Sequence, residues 1–185
     1  MNSEREIVEL CLKNDVRAQE LFYRRYAGKM FGVCLRYAGN PMEAEDILQE
    51  GFIRTFLNLH HFRFEGSLEG WVRRTMVNTA INHYKKQLKF QKEVELHEAV
   101  TFATNQEDAL SKLSTEELLG IIQELPPGYR TVFNLYVMEG YTHREIGESL
   151  GISENTSKSQ FSRARNAILG NLLKSGAVRK SDPTR

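Results

Sequence analysis

The chain has 185 residues, a net charge of +1 and an apolar fraction of 41%, a composition typical of folded domains rather than of a disordered chain. No apolar run is long enough to span a bilayer, and residues 1–6 are charged and lack the apolar stretch of a signal peptide. These features predict a cytoplasmic protein without membrane insertion. The two cysteines, Cys11 and Cys34, lie in apolar segments and are expected to be buried and reduced.

Charge is distributed unevenly along the chain. Residues 1–90 carry 14 basic and 11 acidic side chains, a net charge of +3. Residues 91–125 carry 2 basic and 8 acidic side chains, a net charge of −6, and residues 126–185 carry 9 and 5, a net charge of +4. This pattern predicts two basic domains that each approach a polyanion, joined by a flexible acidic linker that does not bind duplex DNA.

Apolar residues recur with a helical period along almost every segment, which predicts an all-α fold of two small helical domains. In chain order, the predicted helices cover about residues 4–13, 15–37, 42–58, 67–88, 114–124, 129–139, 142–150 and 153–172. Asp15 is the expected N-cap of the second helix. Asn40, Pro41 and Glu43 carry the start signals of the third.

The connection after the third helix, residues 60–66, is rich in aromatic and basic side chains, which is unusual for a surface loop. The fourth helix combines Trp71 with a polar stripe of amides and cations. The members of this stripe are Arg74, Asn78, Asn82, Lys85 and Lys86. Aromatic rings among amides and cations suit a single-stranded nucleic acid, whose bases stack or enter pockets. The alternative is that Trp71 belongs to the core and the cations are solvated.

Residues 89–108 have weak periodicity and an acidic bias, which predict a linker with little fixed structure. A capping box at residues 114–117 starts the next helix, and Pro126-Pro127-Gly128 ends it. The predicted organisation is a first domain over 1–90, a linker over 91–113, a second domain over 114–175 and a tail over 176–185.

Residues 141–172 have the pattern of two helices joined by a turn at Gly151. Thr142 and Glu145 form a capping box for the first helix, and Ser153 is the N-cap of the second. The face opposite the apolar stripe of the second helix offers groups that suit base edges and phosphates in a major groove. Its residues are Asn155, Lys158, Ser159, Ser162, Arg163 and Arg165. This pattern predicts a helix-turn-helix, although a plain helical hairpin with a solvated face also fits it.

Catalytic chemistry is not predicted. The sequence shows no nucleophile–base pair, no glycine-rich phosphate loop and no Cys/His spacing typical of a zinc site. Asp46 and Glu50 are four residues apart on a predicted helix, and a solvated surface explains them better than a metal site does. We therefore expect neither an enzyme nor a bound cofactor or metal.

Three blocks, in this order, resemble the extracytoplasmic-function (ECF) sigma factors of bacterial RNA polymerase, in the sigma-70 family. Residues 43–52 resemble the region 2 segment that binds the polymerase clamp helices. Residues 71–84 resemble the helix that melts and reads the −10 element. Residues 125–130 with 140–165 resemble region 4, which contains the −35-reading helix. The resemblance implies a dissociable subunit that directs core polymerase to −35 and −10 promoter elements and helps to open the DNA.

The resemblance also implies roles for single residues. The polymerase-facing set is Asp46, Gln49, Glu50 and Phe52. The set for −10 binding and melting is Phe62, Arg63, Trp71, Arg74, Asn78, Asn82, Lys85 and Lys86, with Asn78 and the loop 62–67 holding a flipped base. The −35 set is Asn155, Thr156, Lys158, Ser159, Ser162, Arg163 and Arg165, with the amide and hydroxyl of Thr156 on phosphate. The implied partners are core RNA polymerase, through its clamp helices and flap, promoter DNA and an anti-sigma factor.

Three residues depart from the family pattern. Gly147 stands where Ala is common, at a cost in helix propensity of about 1 kcal/mol. Ser157 replaces an apolar residue, which predicts looser packing, and Gln160 replaces a frequent Arg, which removes a phosphate contact. The alternative function is a stand-alone helix-turn-helix regulator with an N-terminal interaction or sensor domain. That function would need a dimerisation surface, for which the sequence offers no heptad pattern.

Overall fold

The computed structural model describes residues 3–94 and 115–174, which contain eight α-helices and one 3-10 turn. The helices are α1 (Glu4–Leu12), α2 (Val16–Tyr37), α3 (Pro41–Asn58), α4 (Leu68–Val94), α5 (Thr115–Gln123), α6 (Pro127–Val137), α7 (His143–Leu150) and α8 (Glu154–Lys174); the 3-10 turn is Leu59–His61. These two ranges contain no strand, so the all-α prediction is confirmed.

The chain divides into two compact units, residues 1–83 and 84–185, and the division falls within α4. Two helical units were expected, whereas the predicted domain boundaries at residues 90 and 114 stay predictions. Most of the predicted linker, residues 95–113, and the tail over 176–185 lie outside the described residues, as does Ser114 of the predicted capping box.

One prediction at the start of the linker is wrong, because α4 continues through residues 89–94. Residues 85–94 contain neither Gly nor Pro and consist mostly of Lys, Gln, Glu and Leu, which are good helix formers. The weak apolar spacing there indicates a poorly amphipathic helix rather than a structureless segment.

The predicted start signals of the first unit's helices are confirmed. Asp15 Oδ1 accepts a hydrogen bond from the Ala18 amide at 2.8 Å, and Asn40 Oδ1 accepts from the Glu43 amide at 2.9 Å. The Glu43 carboxylate reaches back to the Gly39 amide at 2.7 Å, one residue before the N-cap. These bonds satisfy amides that the first turn of a helix leaves without partners.

The core of the first unit forms where α2 and α3 pack together with α1 and α4. Its largest fully buried side chains include Phe22, Met30, Ile47 and Met76. Two apolar residues near the start of α2 are exposed, Val16 by 74% and Leu21 by 45%.

Both cysteines are buried and free, as predicted for small apolar residues. Burial is the main cause that raises the pKa of Cys34 to about 12 and that of Cys11 to about 11. Thiols with such pKa values stay protonated at neutral pH and are poor nucleophiles.

The core of the second unit forms where α8 packs against α5, α6 and α7. It contains the buried side chains Ile121, Leu125, Ala164, Ile168 and Leu172. Val137, the last residue of α6, is 49% exposed. Within the described residues, no helix has an apolar stretch long enough to cross a membrane.

Candidate nucleic-acid and protein interfaces

An open pocket of about 410 Å³ lies where the loop before α4 meets the first turns of that helix. Its walls include Phe62, Arg63, Ser67, Trp71 and Arg74. The Phe62 and Trp71 ring centroids are 5.7 Å apart, so the loop and the helix contribute adjoining aromatic surfaces. Trp71 is half-buried and forms part of the pocket wall, so it is not only a core residue.

The loop that forms the pocket contains two residues with left-handed backbone conformations. Phe64 has a φ of +59° and Gly66 a φ of +105°. The Ser67 hydroxyl then accepts a hydrogen bond from the Gly70 amide at 3.3 Å and starts α4. These features fold the loop back toward α4 and place Phe62 against Trp71.

The chemistry of this pocket suits an unpaired base. Aromatic ring faces can stack on any base, and the exposed guanidinium groups of Arg63 and Arg74 can neutralise neighbouring phosphates. The pocket therefore brings together four residues of the predicted −10 set, Phe62, Arg63, Trp71 and Arg74.

The remaining residues of the predicted −10 set continue along one face of α4. Asn78 is exposed one turn beyond Arg74, Asn82 is half-buried one turn further, and Lys85 and Lys86 are exposed. Asn78 is not among the residues that line the pocket, and its pairing with the loop 62–67 around a flipped base stays a prediction. Trp71 and Arg74 form the α4 side of the pocket.

The outer side of α3 holds three of the four predicted polymerase-facing residues. Asp46 and Gln49 are exposed, and the half-buried Glu50 accepts from Arg54 at 2.7 Å. Phe52 does not share this surface, because it is only 3% exposed and its ring centroid lies 4.7 Å from that of Tyr23. Since each helical residue advances by about 100°, Phe52 lies about 120° around α3 from Asp46 and faces the core.

Sequence reasoning missed the apolar part of the same surface. Met42, Ile53 and Leu57 are 75%, 60% and 68% exposed. Together with Asp46 and Gln49 they recur at spacings of three or four residues, which places all five on one stripe of α3. Their position outside the core-facing stripe was the signal in the sequence that could have identified them.

The capping box of the helix-turn-helix is confirmed at α7. The Thr142 hydroxyl accepts from the Glu145 amide at 3.2 Å, and the Glu145 carboxylate accepts from the Thr142 amide at 2.8 Å. Hydrogen bonds from the Thr142 amide and hydroxyl lower the pKa of Glu145. Gly151, with a φ of +72°, ends α7 in the left-handed conformation that glycine adopts readily.

Gly147 has a packing role that its helix propensity alone does not show. A Cβ atom at this position would lie 2.8 Å from the Ile152 carbonyl oxygen, closer than real Cβ contacts come. The Gly147 carbonyl also accepts from the Gly151 amide at 2.9 Å and from the Ile152 amide at 3.0 Å. The missing side chain lets the turn lie directly against α7, which offsets the weaker propensity.

The exposed face of α8 has uncharged polar residues at its centre and cations at its edges. Asn155, Ser159 and Ser162 are exposed along the centre. Asn166, four residues after Ser162, continues this line and was missed by the sequence prediction. All four side chains can donate and accept hydrogen bonds, as base edges in a major groove require.

The cations at the edges of α8 already have partners in the free protein. Lys158 Nζ lies 2.7 Å from Glu154 Oε1, and the hydrogen bond from Lys158 is the main cause that lowers the pKa of Glu154. Arg163 donates to the Tyr129 hydroxyl at 3.3 Å, and Arg165 is exposed. These cations are placed to contact phosphates on either side of the polar line.

Thr156 has local partners in the free protein. Its amide donates to Ser153 Oγ at 2.9 Å, and its hydroxyl oxygen lies 2.7 Å from the same atom. Both groups take part in the N-cap of α8, and the binding of phosphate by Thr156 stays a prediction. The prediction of looser packing at Ser157 is wrong, because this side chain is fully buried and its Oγ lies 3.0 Å from His143 Nδ1.

Across residues 3–94 and 115–174, no group of three or more His, Cys, Asp or Glu side chains could hold a metal ion. The pocket beside α4 and the exposed faces of α3 and α8 are thus the surfaces whose chemistry points to a function.

Comparison with known proteins identifies the family of the chain. The Sigma-70 region 2 family model matches residues 22–90, and the Sigma-70 region 4 model matches residues 115–168. The ECF RNA polymerase sigma factor SigW of Bacillus subtilis is 34% identical over 157 residues, which cover 77% of this chain and 82% of SigW. The chain belongs to the ECF sigma factors. Its function is therefore that of an RNA polymerase sigma factor in transcription initiation, and a stand-alone regulator is not favoured.

Two further sigma factors are similar to this chain over most of its length. The ECF RNA polymerase sigma-E factor of Escherichia coli K12 is 30% identical over 179 residues, 90% of this chain and 92% of its own. The RNA polymerase sigma-H factor of Pseudomonas aeruginosa is 28% identical over 178 residues, covering 89% and 91%. A solved structure of the sigma factor RpoE in complex with the anti-sigma factor NepR from Bartonella quintana is 20% identical, with a TM-score of 0.49, covering 86% and 98%.

Proposed function

We propose that this sigma factor divides promoter recognition between its two units. The pocket of the first unit captures an unpaired base of the −10 region, and α8 of the second unit reads the −35 major groove. The observation that carries the proposal is the pocket beside α4, where Phe62 and Trp71 meet Arg63 and Arg74 at a site open to solvent.

Base capture requires a source of free energy. Removing a base from the stack costs a few kcal/mol, and stacking on aromatic side chains returns about 1–3 kcal/mol per base. Neither unit neutralises many phosphates, so each binds DNA weakly alone. Docked on polymerase, the two units act as a linked pair whose effective local concentration raises their combined affinity.

The second unit would bind duplex DNA through α8. Asn155, Ser159 and Ser162 face the base edges, and Lys158, Arg163 and Arg165 take the flanking phosphates. This division follows the general rule that base contacts give specificity whereas phosphate contacts give position. Because Thr156 is engaged in the N-cap, we assign it no phosphate in this proposal.

The outer face of α3 would bind the clamp helices of core RNA polymerase. Asp46 and Gln49 supply polar contacts, and Ile53 and Leu57 supply the apolar area that the centre of a protein interface usually contains. The family resemblance implies the polymerase flap as a second contact and an anti-sigma factor as a regulator. We place the protein in the cytoplasm and assign it no enzymatic reaction of its own.

Transcription in vitro tests the base-capture role. Purified core polymerase and the full chain would be assayed on promoters selected from a randomised DNA pool, and initiation is expected without any other sigma factor. Trp71→Ala and Arg74→Ala should slow promoter opening, followed by permanganate reactivity of unpaired thymines. Arg24→Ala removes an exposed arginine of α2 and is the matched control. Opening at the wild-type rate in both pocket variants would contradict the proposal.

Binding measurements test the polymerase surface separately. Asp46→Ala and Gln49→Ala should weaken the affinity for core polymerase, because they remove exposed polar contacts from α3. Binding of −35 duplex DNA should remain at the wild-type level in both variants, since α8 lies in the other unit. Unchanged polymerase affinity in both variants would exclude this face of α3.

A further inference from the structure

A continuous series of contacts connects α1 to the wall of the pocket. The Arg5 guanidinium carbon lies 5.2 Å from the centroid of the Phe64 ring. The Phe64 ring centroid lies 5.0 Å from that of Phe62, which in turn lies 5.7 Å from that of Trp71. An exposed side chain near the N-terminus thereby contacts the aromatic group that forms the pocket.

The loop needs this kind of support. Phe64 has a φ of +59°, a conformation that is uncommon for residues other than glycine and that persists only when surrounding contacts hold it. Phe64 is 41% exposed, so the core alone does not fix its ring. A guanidinium group over the ring favours this conformation through a cation–π interaction.

α1 is anchored well enough to provide that support. Ile7 and Val8 are buried in the core of the first unit. On the same side of the helix, Glu4 Oε1 accepts from the Tyr26 hydroxyl at 3.0 Å and from Arg25 at 3.3 Å. The backbone of Arg5 is therefore fixed relative to α2, although its side chain is 73% exposed.

We infer that Arg5 is a positioning residue for base capture, which it supports by holding Phe64 and, through Phe64, the Phe62 ring against Trp71. The inference rests on the proposed function of the pocket. Arg5 need not touch the DNA, and its ion pair with Glu9 at 3.1 Å is not the interaction that matters. The competing role for an exposed arginine at this position is a direct phosphate contact.

Single-stranded DNA binding by the holoenzyme tests the inference. The probe is a fluorescein-labelled non-template-strand oligonucleotide whose −10 sequence is selected from a randomised pool by wild-type holoenzyme. Arg5→Gln should weaken binding about two- to fivefold, the range expected for one cation–π contact. Arg5→Lys should retain most of the affinity. The control Glu9→Gln removes the ion pair, keeps the guanidinium group and should bind like wild type.

A double-mutant cycle separates positioning from phosphate binding. If Arg5 acts through Phe64, adding Arg5→Gln to Phe64→Leu should cause no further loss of affinity, and Arg5→Gln should leave the salt dependence of binding unchanged. Additive losses with a reduced salt dependence would overturn the inference and make Arg5 a phosphate contact. Wild-type affinity in Arg5→Gln would also overturn it.

Two further measurements complete the test. Melting temperatures of Arg5→Gln and Glu9→Gln should agree, and a lower value for Arg5→Gln with weaker polymerase binding would reduce Arg5 to a general stabilising residue, against the inference. Trp71→Ala distinguishes failure of the proposed pocket function from failure of the role of Arg5 alone. If Trp71→Ala binds the probe like wild type, the proposed function of the pocket fails. If Trp71→Ala weakens binding whereas Arg5→Gln does not, only the role of Arg5 fails.

Discussion

His143 Nδ1 lies 3.0 Å from Ser157 Oγ and joins the first helix of the helix-turn-helix to the buried side of α8. Ser157 is fully buried, and a hydroxyl removed from water requires a partner inside the protein. The His143 ring also stacks on Tyr136, with centroids 4.5 Å apart and planes 12° apart. A polar residue at a core position thus sets how α8 lies against α7.

This contact predicts a pH dependence of the second unit. Burial is the main cause that lowers the pKa of His143 from its ordinary value of 6.5, the charge of Lys158 lowers it further, and Glu154 opposes both. Because the unfolded chain takes up the proton more readily, this residue leaves stability intact above pH 6.5 and reduces it as the pH falls from 6.5 toward the folded-state pKa.

Proton NMR titration of the His143 ring is the direct measurement, and a pKa at or above 6.5 would contradict the prediction. His143→Gln should remove this part of the loss of thermal stability between pH 7.5 and 5.5 and leave the contribution of the other histidines unchanged. Glu145 in the capping box and Glu154 in its ion pair with Lys158 have lowered pKa values, so the stability that these carboxylates add is lost only in more acidic solution.

Gly147→Ala should destabilise the helix-turn-helix although alanine is the better helix former. The added Cβ would lie 2.8 Å from a backbone oxygen of Ile152, so the turn must move away from α7. We expect a loss of about 1–3 kcal/mol in the free energy of unfolding, the usual range for overpacking. Gly120→Ala is the matched control, because no atom lies within 4 Å of its Cβ position, and it should gain up to about 1 kcal/mol. An equal gain in the free energy of unfolding in both variants would show that the turn moves away from α7 without a cost in stability.

Glu154→Gln should strengthen binding to −35 duplex DNA. The substitution removes a negative charge from the exposed face of α8 and releases Lys158, which lies 2.7 Å from Glu154, to contact phosphate. We expect about two- to fivefold tighter binding at low salt and a smaller gain at high salt, where exposed charges are screened. Fluorescence anisotropy of labelled duplexes would measure it. Glu20→Gln breaks an ion pair of the same spacing in the other unit and should change nothing; weaker binding in Glu154→Gln would count against phosphate contact by Lys158.

Ile53→Ser should weaken the affinity for core polymerase by about tenfold, because it removes apolar area from the centre of the exposed stripe on α3. Val16→Ser replaces another exposed aliphatic residue, on α2, and should bind like wild type. Surface plasmon resonance with immobilised core enzyme would compare the two. Comparable losses in both variants would indicate that general surface hydrophobicity, rather than this stripe, drives binding.

Phe52 illustrates the limit of pattern matching within the polymerase-facing set. The family resemblance grouped it with Asp46, Gln49 and Glu50, which lie in the same short segment of the sequence. Rotation around the helix separates them, and packing against Tyr23 makes Phe52 a core residue. Sequence adjacency alone therefore did not indicate which members share a surface.

The sequence by itself determined the helices, because their signals act within one turn. Asp15, Asn40 and Thr142 cap the amides three residues ahead, so the N-termini of these helices can be predicted from the sequence. Three members of the polar line on α8, Asn155, Ser159 and Ser162, were predicted for the same reason, since they share one helix.

Only the tertiary structure decided which distant residues meet. The aromatic pocket requires the left-handed Phe64 and Gly66 to fold a loop onto Trp71. The close turn at Gly147 and the hydrogen bond between His143 and Ser157 depend on how α7 and α8 pack. Such contacts join residues of different helices and loops. The burial of apolar side chains in the core of each unit fixes how these elements pack, and no local sequence signal does.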